Sequence, residues 1–274
     1  MIKPLFRMFC MVMGAALAAP ASAQVPPGLL DHSRPIQGDA IRVCIDEASV
    51  IRDFDIAVAE AIAASLFLEP NFQRAPGGFP INAEGYLEQL EIAMANSCDL
   101  LMGVSLLPTS PFPEWATVTR AYASVPFVLG VIDPAYARLG DIPFDKVLGT
   151  AIGSTGEWAM ITYQLTQPEN RRWRRLPYAD HELMLRRLSD GSIEGMILWH
   201  PSLVQLHDIN PDAEAVRLIA FDPMAEPIVR IAGLVSSRDT FLRNQIDLAI
   251  DVLVQDGTIA DLMDEFQFRG TAGG

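Results

Sequence analysis

Two cysteines constrain this chain more than any other pair of residues. Cys44 lies in the short apolar run Ile41-Arg42-Val43-Cys44-Ile45, and Cys98 opens the run Cys98-Asp99-Leu100-Leu101-Met102-Gly103-Val104. Runs this short, bounded by polar residues or glycine, read as buried strands of a parallel sheet. The third cysteine, Cys10, falls in a segment expected to be removed. The remaining chain therefore carries two thiols on candidate neighbouring strands, and in an oxidising compartment these would bridge. Such a bridge closes a loop of about 54 residues, worth roughly 4 kcal/mol in the chain-entropy account. The alternative is a pair of buried, reduced thiols packed as small apolar groups.

The N-terminus bears on that choice. Lys3 and Arg7 form a short positive region, Phe9 to Ala18 an apolar stretch too short to span a bilayer, and Ala21-Ser22-Ala23 a small-residue cleavage site. This is the pattern of a secretory signal (residues 1–23) cut after Ala23. No later segment holds 18 consecutive apolar residues, so no membrane insertion is expected. The expected location is a bacterial periplasm.

The sequence has 20 basic residues; taking away Lys3 and Arg7 leaves 18 against 34 acidic ones, a net charge of −16. A chain this acidic is a poor partner for nucleic acid or an anionic membrane surface. It remains open to a basic protein partner steered by charge, or its acidity serves only solubility. Apolar residues make up 50% of the sequence, enough to bury one or two full cores.

Residues 24–39, with Pro26, Pro27 and Pro35, read as an extended lead-in. Strand one follows at Ile41–Asp46. Phe54, Ala57, Val58, Ala61, Ile62 and Leu66 then recur at helical spacing, with Asp53 and Asp55 placed to cap and charge the helix start. Asn71–Asn82 holds a second strand and a loop. Leu87, Leu90, Ala93 and Met94 mark a further helix running into the Cys98–Val104 strand. A second unit of the same kind runs from Val147–Gly153 through Glu157–Gln164, Trp173–Pro177 and His181–Leu188 to Ile193–His200. Two extended runs, Ser124–Val131 and Pro227–Val235, cross between the units. The order βαβαβ, twice, predicts a two-lobed α/β protein in which each lobe is a mainly parallel sheet flanked by helices. The expected limits are 40–126 plus 232–269 for lobe one and 127–231 for lobe two. Residues 241–266 read as helical with an acidic outer face, and 270–274 as a loose tail.

Three stretches in this order give the layout a resemblance to the type II periplasmic binding proteins, solute-binding family 3. They are Phe54–Ala63, Leu188–Ile197 with its Asp190-Gly191 step, and Ile246–Phe266 with Asp256-Gly257-Thr258-Ile259. Within that group, Val43-Cys44, the Cys98–Val104 run and Thr119-Arg120-Ala121-Tyr122-Ala123-Ser124 resemble the J-type proteins associated with quinoprotein methanol dehydrogenases. Ala121 stands where that pattern has proline, and Ala123 where it has a second tyrosine.

In amino-acid-binding members of the family, an arginine after the third strand grips the ligand carboxylate and an acid ending a lobe-two strand holds the amine. Leu106–Trp115 contains no arginine, Arg120 comes too late, and Trp199 and His200 stand at the lobe-two strand end. Loss of both halves of such a clamp removes several kcal/mol of recognition, about 3–5, so ordinary amino-acid binding is not expected. Strand C-termini converge on the crevice of open α/β folds. The cleft candidates are therefore Asp46, Glu47, Ser105, Ser154, Thr155, Trp199 and His200. Ser154-Thr155-Gly156 either binds an anion through backbone N–H groups or simply caps the helix. Trp115, Trp158 and Trp199 either line an apolar cavity or pack in the core. Trp173 is expected on the surface among Arg171, Arg172, Arg174 and Arg175.

No enzyme motif emerges. His32, His181, His200 and His207 show no metalloprotease spacing, Gly153-Ser154-Thr155-Gly156 is not a nucleophile elbow, and Gly149, Gly153 and Gly156 are not a dinucleotide fingerprint. No catalysis, metal or cofactor is expected. Two functions remain. One is an accessory protein docking on a periplasmic quinoprotein dehydrogenase or c-type cytochrome, implied by the J-type resemblance. The other is a receptor delivering an unidentified small solute to an ABC permease.

Overall fold

The computed structural model describes residues 38–76, 85–106 and 112–274. The expected signal segment and nearly all of the lead-in lie outside the described residues, as do residues 77–84 and 107–111.

Strand β1 (Ala40–Ile45) runs parallel to β2 (Glu69–Arg74) on one side and β3 (Leu100–Leu106) on the other. Helix α1 (Arg52–Ser65) makes the first crossover and α2 (Tyr86–Asn96) the second. Helix α1 turns Phe54, Asp55, Val58, Ala59, Ile62 and Ala63 inward, the i, i+3/i+4 face that its spacing dictates. Phe54 is fully buried, which contributes about 2 kcal/mol. The opposite face of this half-sheet carries α2 and the cysteines. Cys44 and Cys98 are disulfide-bonded with Cα atoms 5.6 Å apart, packed among Leu90, Met94, Leu101 and Leu234. Next to the bridge, the Arg42 guanidinium pairs with Asp99 and donates to the Asn96 carbonyl (2.8 Å), while the Arg42 backbone N–H also donates to Asp99 (2.9 Å). Those bonds seat the turn that carries Cys98 against strand β1. Cys98 itself precedes β3, because its N–H still caps α2 at the Ala93 carbonyl.

The second half repeats the plan. Strand β5 (Val147–Ala151) lies parallel between β6 (Arg174–Tyr178) and β7 (Gly195–Trp199). Helices α3 (Thr155–Leu165), α4 (His181–Ser189) and α5 (His200–Ile209) cover it. Strand β4 (Ala116–Val131) joins the halves. Its first part pairs antiparallel with β9 (Ile228–Ser236), and its second part with β7 and with β8 (Arg217–Ile219). The strand order is β2-β1-β3-β9-β4-β7-β5-β6, so β9, arriving late in the chain, completes the first half-sheet between β3 and β4. Helices α6 (Thr240–Gln255) and α7 (Thr258–Glu265) then pack on α1.

Three features differ from expectation. Trp173 is 3% exposed, not on the surface. Its flanking arginines alternate outward while its ring packs against Phe144 and Tyr163, and its indole N–H donates to the Ile142 carbonyl (2.9 Å). Residues 270–274 are not a loose tail, since β10 (Thr271–Ala272) pairs antiparallel with Ser124 and Ala123 of β4. The Ile193–His200 strand ends at Trp199, and His200 opens α5, a helix that the sequence pattern did not reveal.

The disulfide yields a stability expectation. Its 54-residue separation makes the loss from Cys44→Ser about 4 kcal/mol. Thermal unfolding of Cys44→Ser beside the oxidised parent should show a marked fall in Tm, and reductant should bring the parent down toward the variant. Equal Tm values under oxidising conditions would remove the bridge from the account of stability.

Candidate functional site

Asp46, Glu47, Ser105, Ser154, Thr155, Trp199 and His200 fall at or near strand C-termini, while Trp115 precedes β4 and Trp158 lies on α3; none of the nine candidates lines either cavity described below. After β1, the Asp46 carboxylate accepts the Ala48 N–H (2.9 Å), forming the turn into α1. Glu47 is exposed and pairs with Arg52 (2.9 Å), which also pairs with Asp53; exposed pairs of this kind add little stability. Ser105 is exposed near the end of β3, opposite Ile231. Trp115 is half-buried against the disulfide layer, so its ring belongs to that core. Trp158, on the first turn of α3, is 62% exposed.

On the lobe-two side, the polar groups are occupied by the protein itself. Ser154 caps α3, accepting the Glu157 N–H (3.1 Å), and Thr155 follows as the first helical residue. Glu157 returns the contact by accepting the Gly153 N–H (2.6 Å), which completes a reciprocal cap. The same carboxylate accepts the Thr150 hydroxyl (2.9 Å) and pairs with Arg175. A buried carboxylate thus sits on the loop where an anion would be held, and the helix-capping reading of Ser154 stands.

Trp199 and His200 turn toward the strand crossing. The Trp199 indole N–H donates to the Val125 carbonyl of β4 (3.2 Å). His200 is buried, and its Nδ1 accepts the Arg269 backbone N–H (3.2 Å), which requires the neutral ring. Burial, with Arg269 and His207 nearby, holds this imidazole down at about 4.

A cavity of about 380 Å³ lies where α1, α5 and the end of α7 meet, lined by Arg52, Asp53, Phe54, Gln205, Asp208 and Phe268 among others. Its inner wall is an aromatic cluster: the Phe54 ring lies 5.8 Å from Phe266 and 5.3 Å from Phe268. A wider, more open groove of about 1030 Å³ runs along β4, β9, α6 and the last residues, with Arg120, Arg230 and Arg243 on its walls. Arg120 pairs with Asp251 and Arg243 with Asp247. Among the described residues, no group of three or more His, Cys, Asp or Glu is placed to hold a metal ion. No described helix is long and apolar enough to cross a membrane.

Beneath the crevice lies a buried pair absent from the candidates. The Tyr122 hydroxyl donates to Asp55 and accepts the Gly103 N–H (3.0 Å), with both side chains buried. Gly103 adopts φ +78° at a register shift of β3 against β9, and any Cβ there would meet the Asp55 carboxylate. Burial raises the Asp55 carboxyl to about 8, against the pull of the Tyr122 hydrogen bond and with the charge of Asp46 adding to the rise. Tyr122 is likewise raised, by burial and then by Asp55. Asp55 shares the spacing of Val58, Ala59 and Ile62, a signal readable in the sequence. Glu157 likewise follows Ser154 by three, as a capping box does.

Comparison with known proteins bears on the fold. No family model matches the chain, and no curated protein matches it. Many solved structures do. Among them are the extracellular-binding protein ytmK of Bacillus subtilis (12% identity, TM-score 0.65, 83% of this chain and 97% of that one) and substrate-binding domain 2 of Lactococcus lactis GlnP in an open conformation (14%, 0.63, 85% and 97%). Another is the GluR0 ligand-binding core in complex with L-glutamate (16%, 0.59, 83% and 97%). The chain therefore has the two-lobed fold of type II periplasmic binding proteins.

The buried titratable groups set a pH dependence. The raised Asp55 carboxyl binds its proton more tightly folded than unfolded, so its contribution is lost as pH rises from about 3.8 to about 8. The lowered His200 acts in the opposite sense, its contribution lost as pH falls from 6.5 to about 4. The two oppose each other below 6.5 and leave Asp55 alone above it. Tm measured from pH 6.5 to 8 should fall more steeply for the parent than for Asp55→Asn, whose amide still accepts from Tyr122. Parallel slopes would show that Asp55 does not titrate in that range.

Proposed function

We propose that this protein is a non-catalytic, exported binding-fold protein that serves as an accessory partner of a periplasmic quinoprotein dehydrogenase, docking on the enzyme or on its c-type cytochrome. One observation carries this reading. Three of the lobe-two candidates, Ser154, Trp199 and His200, already bond to Glu157, Val125 and Arg269 of the same chain. A closing receptor needs such groups unpaired in its open state, because recognition energy comes from pairing them with ligand. The Cys44 and Cys98–Val104 motifs and the Thr119–Ser124 run support the particular partner.

A second reading rests on the solved structures. Their printed descriptions include transporter substrate-binding domains and a core holding L-glutamate, and the 380 Å³ cavity at the lobe junction is large enough for a small solute. On that reading the chain delivers a solute other than a standard amino acid to an ABC permease.

A pull-down of the tagged protein from periplasmic extract, read by mass spectrometry, separates the two. Recovery of a quinoprotein dehydrogenase or c-type cytochrome, followed by salt-dependent binding of the purified partner, is the expected result. No partner, together with a ligand-induced rise in Tm across a panel of small solutes, would replace it with the receptor.

A further inference from the structure

Residues 268–273 leave α7 and touch three parts of the molecule in six positions. Phe268 is buried against Phe54 of α1, on the β1–β3 half. The next residue, Arg269, donates its backbone N–H to His200 at the start of α5, on the β5–β7 half. Thr271 and Ala272 then pair with Ser124 and Ala123 of β4, within the sheet of the β1–β3 half and three residues before β4 reaches β7 at Phe127. Gly273 donates to the Tyr122 carbonyl (2.8 Å) and accepts the Ser124 hydroxyl (2.7 Å). Between them Gly270, at φ +138°, lies so close to β4 that a Cβ would run into the Ser124 carbonyl oxygen. That conformation and that approach both demand glycine.

A two-lobed protein joined only by two strands bends by φ/ψ changes in those strands. Here the bending strand carries extra hydrogen bonds at Tyr122, Ala123 and Ser124, and the segment making them is anchored on both halves. Trp199 adds a fourth tie at Val125. Rotation of the halves about β4 moves His200 away from the strap and so works against the His200–Arg269 bond.

We propose that residues 268–273 form a strap that locks the angle between the lobes, so that the protein works as a fixed scaffold and does not close on a solute. The inference sits with the docking reading and against a receptor that closes on its solute, and it concerns motion, not recognition.

Spin labels on E60C and R186C, exposed positions on α1 and α4, report the angle through double electron–electron resonance. The oxidised Cys44–Cys98 pair stays unlabelled. The expected result is a single narrow distance band that small amino acids leave in place. In His200→Phe and in Gly270→Val the band should be broader, roughly twofold in width. Near-UV circular dichroism and Tm establish that each variant is folded. Should Gly270→Val not fold, His200→Phe combined with Ser124→Ala carries the comparison. A parent band that is broad or split, a shift on adding solute, or strap variants as narrow as the parent would each overturn the proposal. None of these outcomes depends on recovering a dehydrogenase, so failure here and failure of the docking reading are separate results.

Discussion

The structure depends on one strand. Over 16 residues β4 hydrogen-bonds in turn to β9, β10, β7 and β8, so both half-sheets share a single piece of backbone. Its second half is buried almost throughout, as its burial pattern records. A buried strand has to satisfy every N–H and C=O on both edges. Where neighbouring strands do not reach, side chains do: Arg243 donates to the Val118 carbonyl and Asp247 accepts the Arg120 N–H. Helix α6 therefore supplies part of the edge that the sheet lacks.

Much of the architecture was legible in the residues. The alternation of short apolar runs with helical spacing located both βαβ units, and the two long extended runs marked the crossings, because strand and helix periods are set locally. The cysteine pair was legible from the strand that holds Cys44 and the run that leads from Cys98 into β3. Helix α5 was not, since His200-Pro201-Ser202 follows Trp199 without a break and its burial comes from neighbours distant in sequence. The register of β9 between β3 and β4 was equally invisible, being a property of the whole sheet.

The candidate site was harder to read than the fold. Topology sets Asp46, Ser105, Ser154 and Trp199 at or near strand ends, yet none of them lines either cavity described above. Asp46 and Ser154 bond two and three residues away, at Ala48 and Glu157, but Trp199 and His200 depend on partners more than 60 residues away, Val125 and Arg269. The Asp55–Tyr122 pair shows the same limit. Asp55 was expected to cap the start of α1, but no side chain caps that end and Asp55 turns inward, where the path of β4 brings a tyrosine hydroxyl to it. Trp173 shows the limit from the other side: it stands just before β6, and contacts with Phe144, Tyr163 and the Ile142 carbonyl bury it despite the arginines around it.

The position of β9 also bears on how the chain is made. Ribosomes deliver β1, β2 and β3 first, and the Cys44–Cys98 bridge needs nothing beyond them. Strand β3 must then wait for residues 228–236 before its second edge is covered. Through that interval Leu100–Leu106 presents an unpaired apolar edge, the kind that recruits strands from other molecules. The Cys44–Cys98 bridge ties β1 to the residues just before β3, so late insertion of β9 concerns only the free edge of a half-sheet whose other strands are already linked.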